Sequence, residues 1–254
     1  MERYTPETVL ITGATSDFGR AFATRFAALG AHLVLCARNE EKLEALIKDL
    51  DADTTPMICD MADSDSICDA FADLPSKAQN IDLLINNAGG ALGLEPAYKA
   101  DLADWETMID VNNKGLAVMT RLVLDGMVRR KRGHIMNIGS TAGNYPYPGG
   151  NVYCAVKAFT KHFSLALRAD LSGTKVRVTN IEPGLVKTDF SLKRFKGDQD
   201  KADAVYANTD NITADDIAES VTWAATLPPR MNINRLEVMP TAQSFGPLAV
   251  ERFD

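Results

Sequence analysis

The chain has 254 residues, 46% of them hydrophobic, and its 27 Lys and Arg against 34 Asp and Glu give a formal net charge of -7. That length holds one domain with a substantial core, and the acidic balance argues against a general nucleic-acid partner. No run is long or apolar enough to span a bilayer, and residues 1–7 lack a signal peptide's charged-then-apolar order, so a cytoplasmic protein is expected.

Residues 8–12 form an apolar, β-branched run that predicts a strand. Gly13-Ala-Thr-Ser-Asp17-Phe-Gly19 follows, and then an amphipathic stretch at 21–29. Strand, glycine turn and helix are the setting of a dinucleotide fingerprint, because glycines let backbone N–H groups approach a pyrophosphate at a helix N-terminus. Further strands are predicted at 32–36, 55–59, 81–85, 134–139, 175–181 and 235–239, and helices at 39–50, 102–129, 151–171 and 213–227. The alternation implies a parallel sheet with helices on both faces, and ligands beyond the carboxyl ends of the strands. No repeat or linker divides the chain, so residues 1–254 are expected to form a single domain. The cysteines at 36, 59, 68 and 154 form no Cys-x-x-Cys pair, and His32, His134 and His162 lack ligand spacing. Reduced thiols and no metal are expected.

Tyr153 and Lys157 stand one helical turn apart, so both side chains share one helix face. A free phenol titrates near pH ~10, and a fixed ammonium beside it should move that value towards the working range. Ser140, at the end of the strand at 134–139, can hydrogen-bond the same substrate oxygen as the tyrosine. The trio suits proton transfer at an alcohol or carbonyl oxygen while hydride moves at carbon. Each residue alone is ordinary; the nucleotide-binding setting gives them weight.

Thr12-Gly13-x-x-x-Asp17-x-Gly19, Asn86-Asn87-Ala88-Gly89, Asn112, Ser140, Tyr153-x-x-x-Lys157 and Pro183-Gly184 resemble, in order and spacing, the short-chain dehydrogenase/reductase family. The resemblance covers nearly the whole chain. Segments 104–115, 137–143, 194–198 and 231–240 are most similar to bacterial NADP-dependent 3-hydroxy acid dehydrogenases, which also act as L-allo-threonine dehydrogenase or malonic semialdehyde reductase. Sulfoacetaldehyde reductases look similar. The resemblance implies a doubly wound Rossmann domain with seven parallel strands in the order 3-2-1-4-5-6-7. It also implies a homotetramer or homodimer joined through the helices at 102–129 and 151–171.

NADP(H) is the implied cofactor, contacted by Thr12, Gly13, Thr15, Asp17, Phe18 and Gly19 in the first turn. Arg38 stands where NAD-preferring relatives commonly carry an acid, and its guanidinium suits a 2′-phosphate, with Asn39 beside it. Asp60 and Met61 are placed at the adenine, and Asn87, Ala88 and Gly89 along the pocket. Tyr153 and Lys157 would hold the nicotinamide ribose, and Pro183, Gly184, Val186 and Thr188 the nicotinamide end. Asn112 resembles the helix asparagine that holds a water near Lys157, with Asn113 as its competitor. Asp17 departs from the family, which has glycine there. Aspartate tolerates left-handed geometry, so the turn can survive, with the carboxylate turned to solvent and cofactor binding weakened.

In this family the segment at 187–212 forms a mobile lid over the substrate. Here it carries Lys193, Arg194 and Lys196, which suits a small anionic substrate, Arg194 being the expected contact. Tyr145, Tyr147 and Asn151 are expected to wall the pocket, and Phe245 and Phe253 to close it or to pack at a subunit interface. Malonic semialdehyde, 3-hydroxy acids and serine- or allo-threonine-like substrates form one candidate set, and sulfoacetaldehyde the alternative. A non-catalytic NADP(H)-binding sensor or scaffold is a reading of a different class.

Overall fold

Five runs of the chain are buried at every residue, as strands in the middle of a parallel sheet must be: β1 (Thr8–Thr12), β2 (His32–Ala37), β4 (Leu83–Asn86), β5 (Gly133–Ile138) and β6 (Val176–Pro183). The computed structural model describes residues 3–244; the expectations placed on Phe245 and Phe253 lie outside them. With the partly exposed edges β3 (Thr54–Ile58) and β7 (Arg235–Val238), the strands pair in parallel in the order β3-β2-β1-β4-β5-β6-β7. This is the predicted Rossmann-like arrangement.

Alternate side chains of each strand serve opposite faces. Val9, Ile11, Leu33 and Leu35 pack under Phe22 and Phe26 of α1 (Asp17–Ala28) and under Ile217 and Val221 of α9 (Ala214–Ala225). Leu10, Val34, Leu84 and Ile135 meet Ile67 of α3 (Ser64–Ala72) and Met119, Val123 and Met127 of α5 (Leu116–Arg130). The helix α2 (Glu40–Asp49) covers the first face near β2 and β3. Chain order reverses between β1 and β4, which opens a crevice at their carboxyl ends.

The helix expected at 102–129 is interrupted. It runs as α4 (Leu102–Ile109), a π-helical turn at Asp110–Gly115, and α5. Gly115 lies so close to the Met61 carbonyl oxygen that a Cβ there would be 2.1 Å away. The helix at 151–171 is α6 (Asn151–Asp170). Segment 187–212 holds two short helices, α7 (Phe190–Arg194) and α8 (Gln199–Tyr206), and its ends pair at a Val186–Ile212 bridge. Among the described residues no helix is long and apolar enough to cross a membrane, and no cluster of His, Cys, Asp and Glu could hold a metal ion.

Candidate active site

Two hollows compete for attention. The larger, about 760 Å³, lies at the amino ends of β5 and β6, and its lining includes Arg132 and Arg177. Their donors serve structure: Arg132 pairs with Glu7 and Asp82, and Arg177 donates to the carbonyls of Ala224, Ala225 and Leu227 at the end of α9. The smaller, about 460 Å³, opens at the carboxyl ends of the strands and collects Ser140, Tyr153, Lys157 and Arg194.

Ser140 leaves β5 in extended backbone and caps a 3-10 turn at Thr141–Gly143, its Oγ accepting from the Ala142 N–H at 3.1 Å. The Ser140 side chain also acts on the Tyr153 phenol, favouring its ionised form. Helix α6 brings Tyr153 and Lys157 in at i and i+4, both buried. Lys157 Nζ donates to the Ile138 carbonyl at 2.9 Å and lies 5.8 Å from the centre of the Tyr153 ring. Burial lowers the lysine to about 8, since the ammonium is the form that loses hydration. Burial also raises the Tyr153 phenol, and the Ser140 hydrogen bond and the Arg194 charge offset only part of that rise. The depression expected from Lys157 does not set the direction here, because desolvation outweighs the charges near the phenol.

Asn112 sits inside the π turn. Its Nδ2 donates to the Gly90 carbonyl at 3.1 Å and to the Met108 carbonyl at 2.8 Å, and its Oδ1 accepts from the Gly90 N–H at 3.3 Å. A Cβ at Gly89 would lie 2.4 Å from Asn112 Oδ1 and 3.7 Å from Lys157 Nζ, so only glycine leaves the space between them open. Asn112, and not Asn113, occupies this position.

The first turn has the features a dinucleotide requires. Gly13 adopts φ +64°, and a Cβ at Gly19 would come within 2.3 Å of the Gly13 carbonyl oxygen. Ser16, missed in the sequence, caps α1: it accepts from the Gly19 N–H at 3.1 Å and lines the cleft. A serine just before a helix is the signal that could have found it. Asp17 needs no left-handed backbone, since it opens α1 as an ordinary helical residue. Nor does its carboxylate turn to solvent: Oδ2 accepts the Asp189 N–H at 2.8 Å.

Phe18, Asn87, Gly89, Pro183, Gly184, Val186 and Thr188 line the cleft with Asp17. Thr12 is buried and accepts from the Asn87 and Ala88 N–H groups at 3.0 and 2.9 Å, so it holds the exit of β4 and does not face the cleft. Thr15, Arg38, Asn39, Asp60 and Met61 lie outside the cleft lining as well. Arg38 and Asp60 meet at 3.5 Å beyond the ends of β2 and β3, and Asn39 caps α2 through Lys42 N–H at 2.8 Å. Gln243 was also missed; its Oε1 accepts from Leu185 N–H at 2.7 Å and packs on Gly184.

The basic cluster of segment 187–212 divides. Lys193 pairs with Asp189 at 2.6 Å and Lys196 with Asp104 at 2.8 Å, whereas Arg194 turns inward, 9% exposed, with no carboxylate partner among the described residues. Its Nε donates to the Gly93 carbonyl at 3.0 Å and Nη1 to the Tyr147 hydroxyl at 2.8 Å, while Nη2 is buried without a partner. The guanidinium carbon lies 5.3 and 5.7 Å from the ring centres of Tyr147 and Tyr153. Phe190, missed in the sequence, completes this wall with its ring centre 5.6 Å from that of Tyr153.

Two expected wall residues are elsewhere. Tyr145 follows the 3-10 turn on its outer side and donates to Glu237 Oε1 at 3.3 Å. Asn151 starts α6 and donates to the Glu95 carbonyl at 3.2 Å, away from the cleft.

Residues 7–199 match the short chain dehydrogenase family. The chain is 56% identical over 245 residues to the NADP-dependent 3-hydroxy acid dehydrogenase YdfG of Salmonella typhi, covering 96% of this chain and 99% of that protein. It is 47% identical over 247 residues to sulfoacetaldehyde reductase 2 of Chromohalobacter salexigens, covering 96% of this chain and 98% of that one. The fold superposes on a closed form of serine dehydrogenase solved with NADP+ at a TM-score of 0.94 and 53% identity, over 97% of this chain and 100% of that one. With these likenesses and the Ser140, Tyr153 and Lys157 arrangement, the chain belongs to the short-chain dehydrogenase family.

Proposed function

We propose that this chain is an NADP(H)-dependent oxidoreductase acting between a small anionic aldehyde and the corresponding hydroxy acid, of the malonic semialdehyde, 3-hydroxy acid, serine or allo-threonine type. The observation that carries the substrate class is Arg194, a buried guanidinium without a carboxylate partner, beside the Tyr153 ring. A carboxylate or sulfonate there would satisfy the unpartnered Nη2. The relatives above support the cofactor, as do the turn at Gly13 and Gly19 and the space beside Gly89.

When bound, NADP(H) supplies or accepts the hydride. The turn from Gly13 to Gly19 would hold its pyrophosphate, Arg38 and Asn39 its 2′-phosphate, and Asp60 and Met61 its adenine. Asn87, Ala88, Gly89, Pro183, Gly184, Val186 and Thr188 would hold its nicotinamide half. Ser140 and Tyr153 present their hydroxyls to the substrate oxygen, and Tyr153 moves the proton. Lys157 steadies the phenolate and passes a proton by way of Asn112. Arg194 holds the substrate anion, and segment 187–212 acts as a lid that excludes water with Phe190.

The reading extends to residues 1–254 as one domain, a cytoplasmic setting and a homotetramer or homodimer. Exposed Leu102 and Ile109 on α4 and Phe159 on α6 support an interface between copies. The test is NADPH oxidation with malonic semialdehyde and sulfoacetaldehyde in parallel, comparing kcat/KM. Turnover of one that disappears in Tyr153→Phe, with NADPH still bound, supports the reading. Preference for sulfoacetaldehyde would move it to the sulfonate alternative, and turnover of neither would end it.

A further inference from the structure

We propose that the Asp17 carboxylate is a built-in competitor of the cofactor's phosphate, so that residue 17 sets how tightly NADP(H) is held. The inference rests on the NADP(H) reading above. Asp17 lines the cleft between Ser16 and Phe18, at the first turn of α1. Its Oδ2 takes the Asp189 N–H at 2.8 Å, a bond that joins the glycine turn to the entry of segment 187–212. The neighbouring N–H groups of Lys187 and Phe190 are taken within the segment, by the Ile212 carbonyl at 3.0 Å and by Thr188 Oγ1 at 3.3 Å. The Asp189 carboxylate is paired with Lys193 at 2.6 Å. The Asp189 N–H is thus a donor at the cleft wall, held by an anionic oxygen supplied by the protein.

A dinucleotide phosphate at the N-terminus of α1 brings anionic oxygens of the same hydrogen-bonding chemistry to the same wall. It meets the Asp17 charge, and it competes with that carboxylate for the Asp189 N–H. Repulsion and competition act in one direction: both weaken cofactor binding, and displacement of Asp17 releases the entry of the segment. Asp17 therefore couples NADP(H) affinity to the attachment of the segment that carries Arg194. Glycine at this position would supply neither the charge nor the latch.

The test is NADPH affinity by fluorescence titration together with amide hydrogen exchange across 187–195, in the wild type, Asp17→Asn and Asp17→Gly. Asn keeps an acceptor oxygen and removes the charge, so NADPH should bind about tenfold tighter with protection of 187–195 retained. Gly removes both, so NADPH should bind tighter while the segment exchanges faster. If Asp17 served only the α1 dipole, Asn would lower the melting temperature with NADPH affinity unchanged, and the proposal would be overturned. Unchanged exchange in Asp17→Gly would overturn the latch. A wild type that bound no NADPH would overturn the cofactor reading and this proposal with it, whereas failure in the variants alone leaves the cofactor reading standing.

Discussion

Arg194 and Lys157 are cations in an interior that disfavours charge, and each implies a measurable effect. Replacing Arg194 with Met should raise KM for the proposed anionic substrate by about a hundredfold with a smaller change in kcat, as when binding shared by ground and transition states is lost. Steady-state kinetics check it; an unchanged KM would end the anion assignment. Lys157, lowered to about 8, carries a desolvation cost on the order of 3 kcal/mol at neutral pH. Because the unfolded chain binds that proton more tightly, stability should rise as pH climbs from about 8 towards the ordinary lysine value. Lys157→Met should remove that rise and raise the melting temperature at pH 7 while abolishing turnover, as calorimetry at several pH values would show. The trio proposed to react, Ser140, Tyr153 and Lys157, was legible because two of its members share a helix face and the third ends a strand. Phe190 was not, since a five-residue helix has too little periodicity to orient a side chain. Tyr145 was misplaced for the same reason: an irregular turn carries no alternation to say which way it faces.

Elements show the same division between periodic and irregular chain. Strands and long helices were legible from patterns of two and 3.6. The order of the strands came only through the resemblance, since crossovers leave no local mark. The π turn at Asp110–Gly115 escaped notice because one extra residue in a helix hardly changes apolar spacing. In segment 187–212, α7 and α8 are tied by Ser191 Oγ, which donates to the Tyr206 hydroxyl at 2.8 Å, and Tyr206 in turn reaches the Thr188 carbonyl at 3.5 Å. Tyr206→Phe should loosen the segment, raising KM several-fold and speeding limited proteolysis within 187–212. Equal cleavage rates in wild type and variant would show that the two helices are held by packing alone.

Across the whole molecule, one buried carboxylate joins the sheet edge to the turn that follows Ser140. Glu182 on β6 is fully buried; it accepts from Asn180 and Asn144 at 2.6 Å each and takes both arms of Arg235 from β7 at 2.7 Å. Burial alone would raise its carboxyl, but Arg235 and the two amides hold it below the usual range. Its stabilisation is therefore complete above the ordinary glutamate value and is lost as pH falls through the depressed one. Arg235→Met should leave a buried charge unpaired and cost about 3 kcal/mol, the low end for such a loss because Arg235 is itself 41% exposed. Its acid-unfolding midpoint should move to higher pH; an unmoved midpoint would mean that water replaces the guanidinium.

The π turn also records something about how this protein can change. A turn of this kind holds one residue more than the α-helix around it needs. Here the surplus places Asn112 against Gly90, while α4 and α5 on either side keep their own packing. Deleting one residue of this stretch is therefore expected to shift Asn112 off the Gly90 carbonyl that its side chain now holds.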